Sequence, residues 1–213
     1  MKNKIDYSLY LVTDRSLSRG RDLVSLVLEA VRGGVTAVQL REKDTPAGEF
    51  VQLAQTLKQE LSGLNVPLII NDRIDVALTA KADGVHIGQE DIPFPMVRSL
   101  VGPDTIVGLS VNTFDQIREA DRTDVDYLSI SPVYSTPTKT DTKEPFALEG
   151  LKQARAMTPK PLVTIGGINK NNLAEIMATG VDGVALVSAV CAADHPGQAA
   201  RELREIIQSA KQA

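Results

Sequence analysis

Eight short apolar segments, separated by helical patterns along the whole chain, constrain the fold more than any other feature. Some are nearly continuous apolar runs, and others begin with a Gly or Asp turn and continue as β-branched strands; they span 9–14, 33–41, 67–72, 81–88, 105–110, 123–131, 161–167 and 179–188. Continuous apolar runs are typical of strands buried on both faces. Because crossover helices join such strands, the pattern predicts a parallel sheet.

The helical segments between these strands repeat every three to four residues. In the first, Val24, Val27 and Val31 are predicted to share one buried face, with Gly33 as the C-terminal cap. In the second, Leu53, Leu57 and Leu61 repeat the design.

Chain length allows the eight strands to close on themselves. The 213 residues suit a (β/α)₈ barrel, which needs at least about 200. We therefore predict an α/β fold, a single-domain (β/α)₈ TIM barrel over residues 1–213. An open doubly wound sheet is the alternative, but no Gly-x-Gly-x-x-Gly follows the first strand, where a dinucleotide fold would have it.

Composition excludes several classes of partner. The net charge is -4, aromatic residues make up 4% and tryptophan is absent, so neither a nucleic acid nor a membrane surface is an expected partner. No signal peptide or membrane-spanning run is expected. The only cysteine, Cys191, cannot form an internal disulfide, which favours a cytoplasmic location.

A stretch rich in proline and hydroxyl groups, SPVYSTPTKTDTKEP, occupies residues 131–145. Its composition is typical of a linker between domains, or of a long functional loop. A linker here would split the barrel into halves with open edges. We therefore predict a loop that follows the sixth strand, on the face where TIM barrels place their active sites.

The ends of strands seven and eight carry small residues. Gly166 and Gly167 end one strand, and Val187 and Ser188 end the other. Glycine lets the backbone approach a ligand closely, and loops seven and eight form the recurrent phosphate site of these barrels. The pair could instead be a plain tight turn, but its position favours phosphate binding.

Two carboxylates follow strands three and four. Asp72 and Asp91 lie on neighbouring strand ends, with Arg41 and Lys43 nearby on strand two. Mg²⁺ bound to a polyphosphate takes one or two carboxylates in addition to phosphates and waters. Either aspartate could instead cap the helix that follows it.

No residue pattern suggests a nucleophile or a general base. His86 is predicted to be a hydrogen-bonded interior residue, His195 a surface loop residue and Cys191 a buried packing residue. With one anion site at strands seven and eight and another at strands two to four, departure of a leaving group is more plausible than proton abstraction.

Taken in order, these motifs closely resemble the thiamine phosphate synthase (thiamine-phosphate pyrophosphorylase) family. The matching pieces cover about residues 8–192 and read LYLVTD, QLREK, INDRIDVALTAKADGVHIGQEDIP, GLSVNT, PVYSTPTK, GGI and GVALVSAV. The resemblance implies a transferase. It would join 4-amino-2-methyl-5-hydroxymethylpyrimidine diphosphate to 4-methyl-5-(2-phosphooxyethyl)thiazole, giving thiamine monophosphate and diphosphate by a dissociative, Mg²⁺-assisted mechanism.

The resemblance also implies roles for individual residues. Those expected to hold the pyrimidine diphosphate are Gln39, Arg41, Lys43, Asn71, Ser110 and Lys139, of which Arg41, Lys43, Ser110 and Lys139 would be catalytic. Those expected to hold the thiazole phosphate are Thr136, Thr138, Gly167, Val187 and Ser188. Asp72 and Asp91 would bind Mg²⁺ as the cofactor.

The chain departs from the family pattern at a few positions. Asn112 stands where many relatives carry histidine, and Ser131 and Ser135 stand where glycine and proline are frequent. A related branch, the thiazole tautomerases, is thought to use a histidine at the Asn112 position, so its absence favours the synthase. A thiazole tautomerase and a non-catalytic thiazole-phosphate sensor remain the alternatives.

Overall fold

The structure, a computed structural model, describes residues 5–134 and 144–212. Eight parallel strands pair in chain order, and β8 pairs with β1 to close the barrel. The strands are β1 Leu9–Val12, β2 Ala37–Leu40, β3 Leu68–Asn71, β4 Gly84–Ile87, β5 Ile106–Val111, β6 Tyr127–Ile130, β7 Leu162–Ile165 and β8 Gly183–Leu186. The predicted TIM barrel is therefore confirmed, and the open doubly wound sheet is wrong.

Helices follow the strands and surround the barrel. They are α1 Leu23–Arg32, α2 Ala47–Ser62, α3 Ile74–Ala80, α4 Phe94–Val101, α5 Phe114–Asp121, α6 Ala147–Met157, α7 Leu173–Met177, α8 Ser188–Cys191 and α9 Pro196–Gln212. Among the residues described, none of these helices is long and apolar enough to cross a membrane.

The first helix buries a face that differs slightly from the predicted one. Leu23, Leu26 and Val27 are buried on α1, while Val24 and Val31 are only partly buried. The two leucines, three residues apart, occupy the centre of the apolar stripe and move the valines to its edges. In α2 the predicted Leu57 and Leu61 are buried, together with Phe50 and Ala54. The predicted Leu53 is only partly buried.

Apolar residues form two layers, one between the sheet and the helices and one inside the barrel. The inner layer contains Tyr7, Tyr10 and Tyr127. Gly108 on β5 makes room for the third of these, because a Cβ at this position would lie 2.1 Å from the Cζ atom of Tyr127. A glycine is therefore needed for a large polar-tipped ring to fill the barrel interior.

A side chain immediately before each even-numbered strand ties that strand to the preceding one. These latch residues are Thr36, Asp83, Asp126 and Asp182, and their oxygens accept hydrogen bonds from the amides of Leu9, Leu68, Val107 and Leu162. In return, the backbone N–H of each latch residue donates to the carbonyl of the same partner. Each pair thus forms two hydrogen bonds at the edge of the barrel opposite the predicted site.

The three latch aspartates also form ion pairs with helices α2, α4 and α6. Their partners are Lys58, Arg98 and Arg155, at 2.6, 2.7 and 2.7 Å. Each aspartate therefore joins one helix and two strands.

Candidate active site

A cavity of about 540 Å³ opens at the C-terminal end of the barrel. Its walls include residues at or just beyond the ends of all eight strands. Seven of the predicted site residues line it, namely Gln39, Arg41, Asn71, Ser110, Gly167, Val187 and Ser188. The barrel therefore brings residues of the two predicted anion sites to one shared cavity.

Three further predicted residues interact beside this cavity but are not among its lining residues. Lys43 Nζ lies 2.7 Å from Asp72 Oδ2, and the backbone N–H of Gly88 donates to Asp91 Oδ2 at 2.7 Å. The remaining three, Thr136, Thr138 and Lys139, lie outside the described residues, so their predicted roles stay predictions.

Neither aspartate caps a helix. The residue before α3 is Arg73 and the residue before α4 is Pro93, and neither helix has a side-chain capping bond. Asp72 has a φ of 60°, a left-handed conformation that aspartate tolerates better than most residues. The capping alternative is therefore wrong: Asp72 pairs with Lys43, and Asp91 accepts from the Gly88 amide.

The two carboxylates lie close enough to influence each other. The pKa of Asp91 is raised above its usual value, mainly because burial disfavours the charged form and further because of repulsion by Asp72 and a side-chain hydrogen bond with it. Lys43 acts in the opposite direction. Two repelling carboxylates beside Lys43 form a donor set that a cation would stabilise.

This donor set is compatible with Mg²⁺. Within residues 5–134 and 144–212, no group of three or more His, Cys, Asp or Glu side chains could hold a metal ion by itself. Mg²⁺ does not need such a cage, because it usually retains waters and takes one or two carboxylates together with substrate phosphates.

The ends of β7 and β8 have the backbone geometry that a close ligand requires. Gly166 and Gly167 have φ values of 109° and 70°, which residues with a Cβ rarely adopt. Gly167 O accepts a hydrogen bond from Asn172 Nδ2 at 2.9 Å. Asn172 precedes α7, and its side chain also accepts a hydrogen bond from the backbone N–H of Asn169 at 2.9 Å.

The QLREK segment is held by neighbours on β1 and its loop. The backbone N–H of Arg41 donates to Thr13 Oγ1 at 2.9 Å, and Asp14 lies 3.8 Å from the Arg41 guanidinium. Between the two site cations, Glu42 is buried and accepts a hydrogen bond from Arg15 Nε at 2.9 Å. Arg15 therefore supports the segment that carries Arg41 and Lys43.

A continuous chain of hydrogen bonds crosses the base of the cavity. Gln39 Nε2 donates to the Tyr10 hydroxyl at 3.0 Å, which lies 2.9 Å from the Tyr127 hydroxyl. His86 contacts Tyr127 through Nδ1 at 2.8 Å and Ser110 Oγ through Nε2 at 2.9 Å. The prediction that His86 is an interior hydrogen-bonded residue is confirmed, as are the exposed His195 and the buried Cys191.

Sequence reasoning missed Tyr10 and Tyr127, the two tyrosines in this series of hydrogen bonds. Burial raises the pKa of both Tyr10 and Tyr127, so both phenols stay neutral. A tyrosine within an apolar strand is usually a packing residue, and no local pattern relates β1 to β6.

The start of the predicted loop lies at the cavity. Asn112 Nδ2 donates to Ser131 O at 2.7 Å, and Ser131 lines the cavity. The amides of Val133 and Tyr134 donate to carbonyls at the end of β7, at 3.1 and 3.2 Å. Because β6 and β7 belong to one closed barrel, the segment 131–145 connects two adjacent strands and is not a linker between domains.

Comparisons with known proteins agree with this geometry. Residues 9–190 match the family described as thiamine monophosphate synthase. A thiamine-phosphate synthase of Syntrophomonas wolfei is 54% identical, covering 94% of this chain and 96% of its own, and one of Vibrio parahaemolyticus is 50% identical, covering 94% and 98%. The solved thiamine phosphate pyrophosphorylase of Pyrococcus furiosus is 38% identical with a TM-score of 0.88, covering 96% of this chain and 97% of its own. The chain therefore belongs to the thiamine monophosphate synthase family and is an enzyme of that type.

Proposed function

We propose that this enzyme condenses 4-amino-2-methyl-5-hydroxymethylpyrimidine diphosphate with 4-methyl-5-(2-phosphooxyethyl)thiazole, giving thiamine monophosphate and diphosphate. One observation carries the proposal. Residues suited to two different anionic ligands line the same cavity: Gln39, Arg41, Asn71 and Ser110 on one side, and Gly167, Val187 and Ser188 on the other. Binding both partners in one cavity supplies the proximity that a condensation requires.

The diphosphate side combines cations with hydrogen-bond donors. Arg41 offers a planar fork of donors that suits phosphate oxygens, and the hydroxyl of Ser110 can donate from β5. Lys43 lies at the rim, where it pairs with Asp72. These groups stabilise the negative charge that develops on a departing diphosphate, which is usually the largest contribution to catalysis.

Asp72 and Asp91 would hold Mg²⁺ at the same rim. When bound, this ion would neutralise charge on the diphosphate oxygens. The nearness of the two carboxylates supports this assignment: burial is the main cause of the raised pKa of Asp91, repulsion by Asp72 adds to it, and a bound cation would relieve that repulsion.

The chemical step needs no general base. The bond between the pyrimidine methylene carbon and the diphosphate oxygen breaks, and its electron pair leaves with the diphosphate. The thiazole nitrogen then donates its lone pair to the resulting pyrimidine-methyl cation, forming the C–N bond of a thiazolium product. No proton is transferred, so the lack of an evident base among the predicted site residues is consistent with this reaction.

The thiazole phosphate would bind at the ends of β7 and β8. The left-handed backbone of Gly166 and Gly167 lets the chain approach a phosphate closely. Ser188 begins α8, and the first amides of a helix have no acceptor within that helix. Thr136, Thr138 and Lys139 remain assigned to the substrates by resemblance alone, and a cytoplasmic location belongs to the same proposal.

A single assay tests the function. The purified enzyme is mixed with both substrates and Mg²⁺, and the two products are measured. We expect thiamine monophosphate and diphosphate to appear in equal amounts. Rearrangement of the thiazole without any need for diphosphate would indicate the tautomerase, and binding of the thiazole phosphate without product would indicate the sensor. Either result would overturn the proposal.

The metal assignment has its own test. Asp91→Ala should lower turnover and raise the Mg²⁺ concentration needed for half-maximal activity. Asp75→Ala is a matched control, because Asp75 is an exposed aspartate on α3 whose carboxylate forms an ion pair with Arg73. Unchanged activity of Asp91→Ala at limiting Mg²⁺ would remove this residue from the ligands.

A further inference from the structure

The hydrogen-bond chain from Gln39 to Ser110 joins two residues of the pyrimidine-diphosphate side across the barrel. Its three middle members, Tyr10, Tyr127 and His86, are at most 6% exposed. None of these three was assigned a role in the reaction. They connect two side chains assigned to substrate binding, so the direction of these hydrogen bonds decides what Gln39 and Ser110 can offer a ligand.

The direction of the hydrogen bonds follows from a count of protons. Gln39 Nε2 can only donate, so Tyr10 accepts there and must place its own hydrogen elsewhere. The acceptor within reach in the described residues is the Tyr127 hydroxyl at 2.9 Å. Tyr127 then donates to His86 Nδ1, which leaves the His86 proton on Nε2 to be donated to Ser110 Oγ.

The opposite direction leaves a buried group unpaired. If Tyr127 donated to Tyr10, the Tyr10 hydrogen would have no acceptor among the described residues, at a site that is 1% exposed. A buried donor without an acceptor is costly. The first direction is therefore the one that the geometry selects.

We infer that Tyr10, Tyr127 and His86 are positioning residues that fix the polarity of the two substrate-binding ends. Ser110 accepts from His86, so its own hydroxyl hydrogen is free to be donated to an acceptor of the substrate in the cavity. Gln39 uses one amide hydrogen on Tyr10, so the orientation of its carbonyl oxygen is fixed as well. This inference rests on the proposed function, because it assumes that the pyrimidine diphosphate binds at Ser110 and Gln39.

The protonation state of His86 tests the polarity without any substrate. The chain has only two histidines, so spectra of ¹⁵N-histidine-labelled enzyme contain two sets of ring signals, and His195→Asn assigns them. His195 is an exposed loop residue, so its replacement should leave the His86 signals unchanged. We expect a neutral His86 with its proton on Nε2; a proton on Nδ1, or on both nitrogens, would overturn the inference.

Kinetics test the positioning role. Tyr127→Phe removes one oxygen from the middle of the chain and should raise KM for the pyrimidine diphosphate about tenfold, the effect of one lost hydrogen bond, while KM for the thiazole phosphate stays unchanged. Tyr7→Phe is the matched control. The ring of Tyr7 lies 4.6 Å from that of Tyr127 inside the barrel, but Tyr7 is not part of the series of hydrogen bonds from Gln39 to Ser110. Equal increases in both KM values, or the same increase in Tyr7→Phe, would indicate a structural role only.

Rescue by a conservative variant completes the test. His86→Gln keeps an amide N–H that can donate to Ser110, whereas His86→Leu keeps none. We expect His86→Gln to retain most of the affinity for the pyrimidine diphosphate and His86→Leu to lose it, with thermal unfolding recorded for both. If the unmodified enzyme made no thiamine monophosphate, the proposed function would fail, and the NMR experiment would still decide the polarity.

Discussion

Asp126 joins three elements at the base of the barrel, so its replacement by alanine should lower the free energy of unfolding strongly. Its carboxylate accepts from the Val107 amide at 2.8 Å and pairs with Arg98 at 2.7 Å. The side chains of Asp126 and Arg98 are only 17% and 12% exposed. Alanine would therefore leave a buried amide and a largely buried guanidinium without this partner.

The expected loss can be estimated from these contacts. Removing one partner of a buried ion pair costs about 3–5 kcal/mol. Arg98 keeps hydrogen bonds to the carbonyls of Gly102 and Thr105, so we expect a value near the lower end, about 3 kcal/mol. Asp126→Asn keeps an acceptor for Val107 and should cost less.

The other latch aspartates provide a graded series. The side chain of Asp83 is 32% exposed and that of Asp182 is 49% exposed. Exposed ion pairs contribute about 0–1 kcal/mol, and the lost amide hydrogen bond adds about 1 kcal/mol. Asp182→Ala should therefore cost about 1–2 kcal/mol and Asp83→Ala an intermediate amount.

Urea unfolding followed by circular dichroism measures these differences. Asp194→Ala serves as the control, because Asp194 pairs with Arg19 at a site where both side chains are more than half exposed, and it should stay within about 0.5 kcal/mol of the parent. If Asp182→Ala cost as much as Asp126→Ala, or if all three stayed within the range of the control, burial would not set the strength of the latches.

Three other perturbations have defined outcomes. Asp22→Ala should cost about 1 kcal/mol, because Asp22 caps α1. Hydrogen bonds from Ser25 lower the pKa of Asp22, so this loss of stability is present above the unfolded pKa and disappears as the pH falls through the folded pKa. Urea unfolding at several pH values measures it. Burial raises the pKa of the Cys191 thiol to about 11, so at mildly alkaline pH a thiol reagent should label the native enzyme far more slowly than the unfolded chain; rapid native labelling would refute this. Gly167→Leu should raise KM mainly for the thiazole phosphate, whereas a selective defect toward the pyrimidine diphosphate would mean that the two pockets are exchanged.

The sequence was sufficient to predict the barrel because its strands are buried on both faces. Their apolar runs and the helices between them leave few other arrangements, and the strand ends then place Gln39, Asn71 and Ser110 around one opening. The exact buried face of α1 was not predictable from periodicity alone, since both Leu26 and Val24 fit a helical stripe and only packing against the sheet distinguishes them.

Contacts between distant residues set the limit of the sequence analysis. Asp72 follows a strand and precedes a helix, so both a helix cap and a metal ligand were consistent with its position. Its ion pair with Lys43, 29 residues away, depends on the packing of β2 beside β3. Tyr10 and Tyr127 are 117 residues apart. Nothing in either strand indicates a partner across the barrel, and the polar chain beneath the cavity emerges only from the closed sheet.

The latches divide the barrel into repeating modules whose boundaries lie on the catalytic side. Each latch aspartate joins an even-numbered helix to the two strands that follow it, so the modules are α2 to β4, α4 to β6 and α6 to β8. The loops that carry Lys43 and Asp91 precede the first and second modules, and the segment 131–145 precedes the third. A change in the length of such a loop breaks no latch, because the latch hydrogen bonds lie at the opposite edge of the barrel.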